Sequence, residues 1–168
     1  RNVRNLTLLS QLWSQAREHK RAIPVLRQAA QGAPNGELYY RLGQVLLADE
    51  QYVEAERALS SALSRGGLTA DKVGDIYMLL GTARFSQAGP EDCGKRLAAR
   101  QSFVQAQRYP KSSNQARDWV GYIDAINRTE AEQNRVEADQ NEEARKDQLQ
   151  RLKTASQVCR LQGGSNCA

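Results

Sequence analysis

The strongest constraint on this chain is a spacing. Ala22 and Ala55 lie 33 residues apart, and so do Ala29 and Ala62. Self-similarity at such a period points to repeated supersecondary units, each of which buries its apolar face only by stacking on a neighbour. The unit is clearest over residues 36–67. Tyr39, Leu42, Gly43 and Leu46 fall on one face of a first helix, and Tyr52, Ala55, Leu59 and Ala62 on one face of a second. Asp49, Glu50 and Gln51 make the turn between them. Gly43, Ala55 and Ala62 are small enough to let the two helices approach closely. Composition agrees with helices: only 6% of residues are aromatic, and alanine, leucine, glutamine and arginine dominate, which disfavours a sandwich or barrel.

Tyr39, Leu42, Gly43, Ala55, Leu59 and Ala62 stand at the spacings of the tetratricopeptide-repeat (TPR) consensus, and this unit resembles that family. The resemblance implies an all-α fold, a helix-turn-helix solenoid of about three repeats that binds protein. Upstream, Leu6, Leu9 and Trp13 supply a first helix and Ala22, Leu26 and Ala29 a second, with Ser10 where the consensus has glycine and Pro34 at the end. Pro24 sits early in its helix, where the first-turn amides lack helical partners and proline is tolerated. Downstream, Tyr77, Leu80 and Gly81 restart the pattern, and Ala99, Phe103 and Ala106 continue it to Pro110. Two stretches rich in turn formers, "GGLTAD" and "AGPEDCGKR", stretch the spacing here and read as surface loops.

Residues 112–126 read as a capping helix, started by Ser112 or Ser113 and given an apolar face by Trp119, Val120, Tyr122, Ile123 and Ile126. Residues 127–161 contain no proline or glycine and read as a long charged C-terminal helix with a narrow stripe through Leu149, Leu152 and the Ser156/Cys159 region. Sustained heptads are too few to establish a coiled coil, and the stripe docks either on the body or on a second copy of the chain. The expected division is therefore 1–126 for the array with its capping helix, 127–161 for the charged extension and 162–168 for a flexible tail. The chain starts at Arg1 rather than Met, which suggests a processed or excised segment.

The formal net charge is +5, but it is spread over the chain rather than clustered, which argues against nucleic acid as a partner. No apolar run is long enough for a membrane span, so no direct membrane insertion is expected. His19 is the only histidine and reads as a turn residue rather than a general base. No phosphate loop, metal-ligand spacing or paired nucleophile and base can be assembled, so neither an enzyme nor any cofactor or metal is expected. Cys159 and Cys167 flank the Gly163-Gly164 turn in "CRLQGGSNC" and are read as a disulfide of an oxidising compartment, with two free tail thiols as the competing reading. Cys93 is left over in a loop.

Within the TPR resemblance, the first helices of successive repeats line a concave groove. Tyr40, about 100° around the helix from Tyr39, faces it. The projected face is Arg4, Thr7, Gln11, Glu37, Tyr40, Gln44, Asp75, Met78, Thr82, Asp118 and Tyr122, a mixed polar surface whose tyrosines and methionine suit a protein or peptide segment. It carries no lysine or asparagine, unlike the carboxylate clamp of TPR co-chaperones. A further resemblance covers residues 75–125. "DIYMLLGTARF" followed by "ARQSFVQAQRYPKSSNQARDWVGYI" is similar to the C-terminal part of periplasmic TPR proteins associated with TonB systems, through Ala116, Arg117, Trp119, Val120, Tyr122 and Ile123. This implies a periplasmic adaptor assisting TonB-dependent outer-membrane uptake; a cytoplasmic location is the alternative. The other function reading is a structural assembly or oligomerisation subunit of a secretion, pilus or envelope complex, with 127–161 as its contact.

Overall fold

The computed structural model describes residues 3–90 and 92–164. The described residues form seven helices and no strand: α1 (Val3–Gln15), α2 (His19–Gln31), α3 (Glu37–Ala48), α4 (Tyr52–Arg65), α5 (Ala70–Gln87), α6 (Cys93–Ala106) and α7 (Pro110–Leu161). The fold is all-α. The chain divides into two compact units, Arg1–Asp124 and Ala125–Ala168, and α7 contributes to both.

In the first unit each helix from α1 to α5 packs on the next in sequence, and α3 also touches α5. The apolar periodicity decides which faces meet. Ala22, Leu26, Ala29, Leu42, Leu46 and Ala55 are buried together, with Trp13 and Tyr39 packed against them. Leu59, Ala62, Ile76 and Leu80 continue the core. Phe103, Ala106, Ala116 and Ile123 finish it. Trp119 of α7 stacks on Phe103 with ring centroids 5.1 Å apart and meets Phe85 edge-on at 5.3 Å.

Small residues stand where helices approach most closely. A Cβ on Gly43 would meet Leu59 Cδ2 at 2.5 Å, and one on Gly81 would meet the Phe103 ring at 2.5 Å. In α1 that role falls to Ser10, which is 1% exposed. Its hydroxyl donates to the Thr7 carbonyl at 2.7 Å, so burial leaves no polar group unsatisfied.

The turns after α1 and α3 share one geometry. Arg17 and Glu50 adopt left-handed φ values of 57° and 59°. The following amides, of Glu18 and Gln51, donate back to the Trp13 and Leu46 carbonyls at 2.9 Å each. This is the Schellman closure, used twice at the same offset, with a charged residue in the position that usually favours glycine.

Several expectations need correction. Pro24 lies in the second turn of α2, not the first, where it removes an i→i−4 bond; both Pro24 and Lys20, whose carbonyl loses its donor, are exposed to water. Leu9 is exposed rather than packed. Four of the nine residues of the supposed loop "AGPEDCGKR" are helical: α6 starts at Cys93, capped by the Asp92 carboxylate accepting from the Lys95 amide at 2.9 Å. Arg96 is 3% exposed, and its guanidinium donates to the Pro90 carbonyl at 2.6 Å, tying the loop to the helix. Finally, α7 begins at Pro110, since proline is pre-set for the first helical position, and Ser112 is buried in the first turn instead of capping it.

In the second unit, every residue from 131 to 155 is exposed. Local ion pairs brace the helix: Glu132 with Arg135, Glu142 with Lys146 and Asp147 with Arg151, each at 2.8 Å. Cys167 lies outside the described residues, and so does any pairing of it with Cys159. Cys93 is an exposed free thiol.

Candidate functional site

The residues projected onto one face fall into three groups in the first unit. The first group rims a cleft of about 590 Å³ bounded by α1, α2 and α3. Gln11 and Gln44 line it from opposite helices, joined by Ser14, Gln15, His19 and Arg41. Among the described residues, the side-chain amides of Gln11, Gln15 and Gln44 make no hydrogen bond. His19, the first residue of α2, has a buried Nδ1 without a hydrogen-bond partner. The cleft therefore presents unengaged amide donors and acceptors above an apolar floor that includes Leu26 and Val45.

The second group bridges α3 and α5. The Tyr40 hydroxyl donates to Asp75 Oδ2. Lys72 Nζ donates to Glu37 Oε2 at 2.6 Å, and Arg41 Nε stands 3.5 Å from Glu37 Oε1. Burial, then the hydrogen bond to Asp75, then the negative charges of Asp75 and Glu37 hold the Tyr40 phenol well above its ordinary value, so it stays a neutral donor. These contacts satisfy the group internally, which makes it a brace between helices. Lys72 and Arg41 were missed by the projection. A signal for Lys72 existed: Glu37 to Lys72 and Tyr40 to Asp75 are both separations of 35 residues, close to the repeat period.

The third group is Asp118 and Tyr122, which with Gln115 and Trp119 line a smaller pocket of about 220 Å³ on α7. Tyr122 is 55% exposed and leans edge-on to Trp119, with centroids 5.9 Å apart.

The remaining projected residues separate from these. Arg4 is exposed on α1. Thr7 and Thr82 spend their hydroxyls on their own helices, donating to the Val3 and Met78 carbonyls at 2.8 and 3.0 Å. Met78 is a correction: it is 7% exposed and belongs to the core with Phe103 and Ala106, not to a contact surface. The α5 pattern misled because this helix is apolar on more than one side, being packed by α4 and α6 together.

A network outside the projection joins α4, α5 and α6. Arg84 Nε donates to Glu56 Oε1 at 2.7 Å, and Gln87 Nε2 to Glu56 Oε2 at 3.0 Å. Arg84 Nη1 donates to the buried Ser102 hydroxyl at 2.8 Å. Burial works against the Glu56 charge, but the hydrogen bonds from Arg84 and Gln87 and the nearby cations outweigh it and lower its pKa.

Among the described residues no cluster of three metal-ligating side chains occurs, and no helix is long and apolar enough to cross a membrane. Fold and site together define an all-α protein of consecutively packed helices with an open, amide-rimmed cleft. No family model matches the chain, and no curated protein matches it.

Proposed function

We propose that this chain is a non-enzymatic, protein-binding scaffold of the TPR class, whose α1–α3 cleft docks an extended segment of a partner protein. The observation that carries the reading is the pair Gln11 and Gln44, facing one cleft with their amides unengaged. Paired amides of this kind match the alternating N–H and C=O groups of an extended backbone, and the apolar floor suits its side chains. The 33-residue offset between the two left-handed turns, Arg17 and Glu50, supports the repeat assignment. The likeness of residues 75–125 to TonB-associated periplasmic TPR proteins supports a partner in the outer-membrane uptake machinery. Pairing of Cys159 with Cys167 in that oxidising compartment belongs to the same proposal.

A photo-crosslinking residue placed at Gln44 tests the cleft in the native envelope. A discrete adduct is expected, and it is expected to fade when Gln11→Ala and Ser14→Ala are added. Adduct yield at Gln44 no higher than at the exposed Leu97 of α6 would overturn the assignment.

A further inference from the structure

The charges of the second unit are not mixed. Residues 128–144 hold two Lys/Arg against six Asp/Glu, and residues 145–161 hold five against one. A helix with one acidic half and one basic half is self-complementary when two copies run in opposite directions.

The heptad register sharpens this. Leu149 and Leu152 start a stripe that continues, at alternating steps of four and three, through Arg145, Glu142 and Ala138. Along one edge of that stripe stand Glu132, Asp139, Lys146, Lys153 and Arg160, seven residues apart, changing sign once. The opposite edge, Asn134, Asn141, Gln148 and Ala155, carries no charge. Two helices running the same way would set the charged edge of one against the neutral edge of the other. Two running oppositely set charged edge against charged edge. Asp139 then meets Lys146 of the second copy, and Glu132 meets its Lys153. The two-fold axis repeats both contacts. Within the stripe, Glu142 faces Arg145 of the second copy, and Leu149 faces its Ala138.

All of these groups face water, and Glu132 and Glu142 are held only by exposed ion pairs within their own helix, to Arg135 and Lys146. Leu149 and Leu152 are 49% and 60% exposed. Among the described residues Asp139, Arg145 and Lys153 enter no ion pair. Lys146 is held only by the exposed Glu142 one turn away, a pair weak enough to exchange.

We propose that residues 128–161 form an antiparallel two-helix contact with a second copy of this chain, its direction set by the Glu132/Asp139 and Lys146/Lys153 edges. With two leucines per stripe the association is modest, and specificity comes from charge. The proposal is independent of the α1–α3 cleft, and the Gln44 adduct reports on the cleft alone.

Sedimentation equilibrium of the full chain, paired with zero-length carboxylate–amine crosslinking and peptide mass spectrometry, tests it. A concentration-dependent dimer is expected, weakening as salt is raised, with a Glu132–Lys153 crosslink. Those two residues are about 32 Å apart along one helix, so the link forms only between copies. The double variant Glu132→Lys with Asp139→Lys, or Lys146→Glu with Lys153→Glu, is expected to raise the dimer dissociation constant about tenfold or more. Mixing the two variants restores association. A monomer at all concentrations to about 1 mM, a larger assembly, or a dimer indifferent to both variants overturns the proposal.

Discussion

At the residue scale, Glu56 shows how one side chain can tie three helices together. Its carboxylate accepts from Arg84 and Gln87 of α5, and Arg84 reaches on to Ser102 of α6. The folded-state pKa of Glu56 is depressed. The stability linked to it is therefore fully present above the unfolded glutamate value of about 4.3 and is lost as pH falls through the lower folded value. Urea unfolding from about pH 7 to about pH 3 should show a larger loss for the wild type than for Glu56→Gln. Parallel losses would remove Glu56 from the acid limb. Glu56 does not stand out in the sequence, because its partners lie 28 and 31 residues away and no local spacing announces them. The Tyr40–Asp75 and Glu37–Lys72 contacts were partly legible, since both follow an offset close to the repeat. That they satisfy each other, and so brace α3 and α5 instead of awaiting a ligand, needed the side-chain geometry.

At the element scale, glycine has opposite meanings at two helix positions. Gly81 faces Phe103, whose ring is fully buried and also stacked against Trp119. Ala at position 81 gains up to about 1 kcal/mol of helix propensity. It also drives a methyl to 2.5 Å from a ring that cannot yield, and overpacking of that kind costs about 1–3 kcal/mol. Gly81→Ala should therefore lower the melting temperature. Gly121 has no atom near its missing Cβ, so Gly121→Ala should gain about 0.5–1 kcal/mol. Thermal melts of the two variants moving in the same direction would contradict the packing argument. Gly43 and Gly81 were both recognisable as close-approach positions from the pattern of their helices. Ser10 was recognisable only as a departure from it; the bond to the Thr7 carbonyl explains how a hydroxyl occupies the site.

At the scale of the whole molecule, stability and charge are divided. Among the described residues, every buried apolar side chain lies between Ala22 and Ile123. A chain ending at Asn127 should thus unfold cooperatively, with a melting temperature within about 5 °C of the full chain, because it loses no buried core. A drop of tens of degrees would mean that the second unit carries folding energy the core does not account for. The same truncation removes the proposed antiparallel contact, so it separates folding from association.

What the sequence determined by itself was the helical class, the six helices that precede Pro110, and most of the core. Those depend on the 3.6-residue periodicity of apolar side chains and on where small residues recur, and both are local properties. The fates of the projected polar residues were settled only by tertiary packing. Gln11 and Gln44 line one cleft, Tyr40 and Asp75 neutralise each other's hydrogen-bonding needs, and Met78 goes inside. Helix phase fixes the direction of a side chain on its own helix. Whether that direction meets water, a partner or a third helix depends on what the neighbouring elements bring there, and α5 meets helices on more than one side.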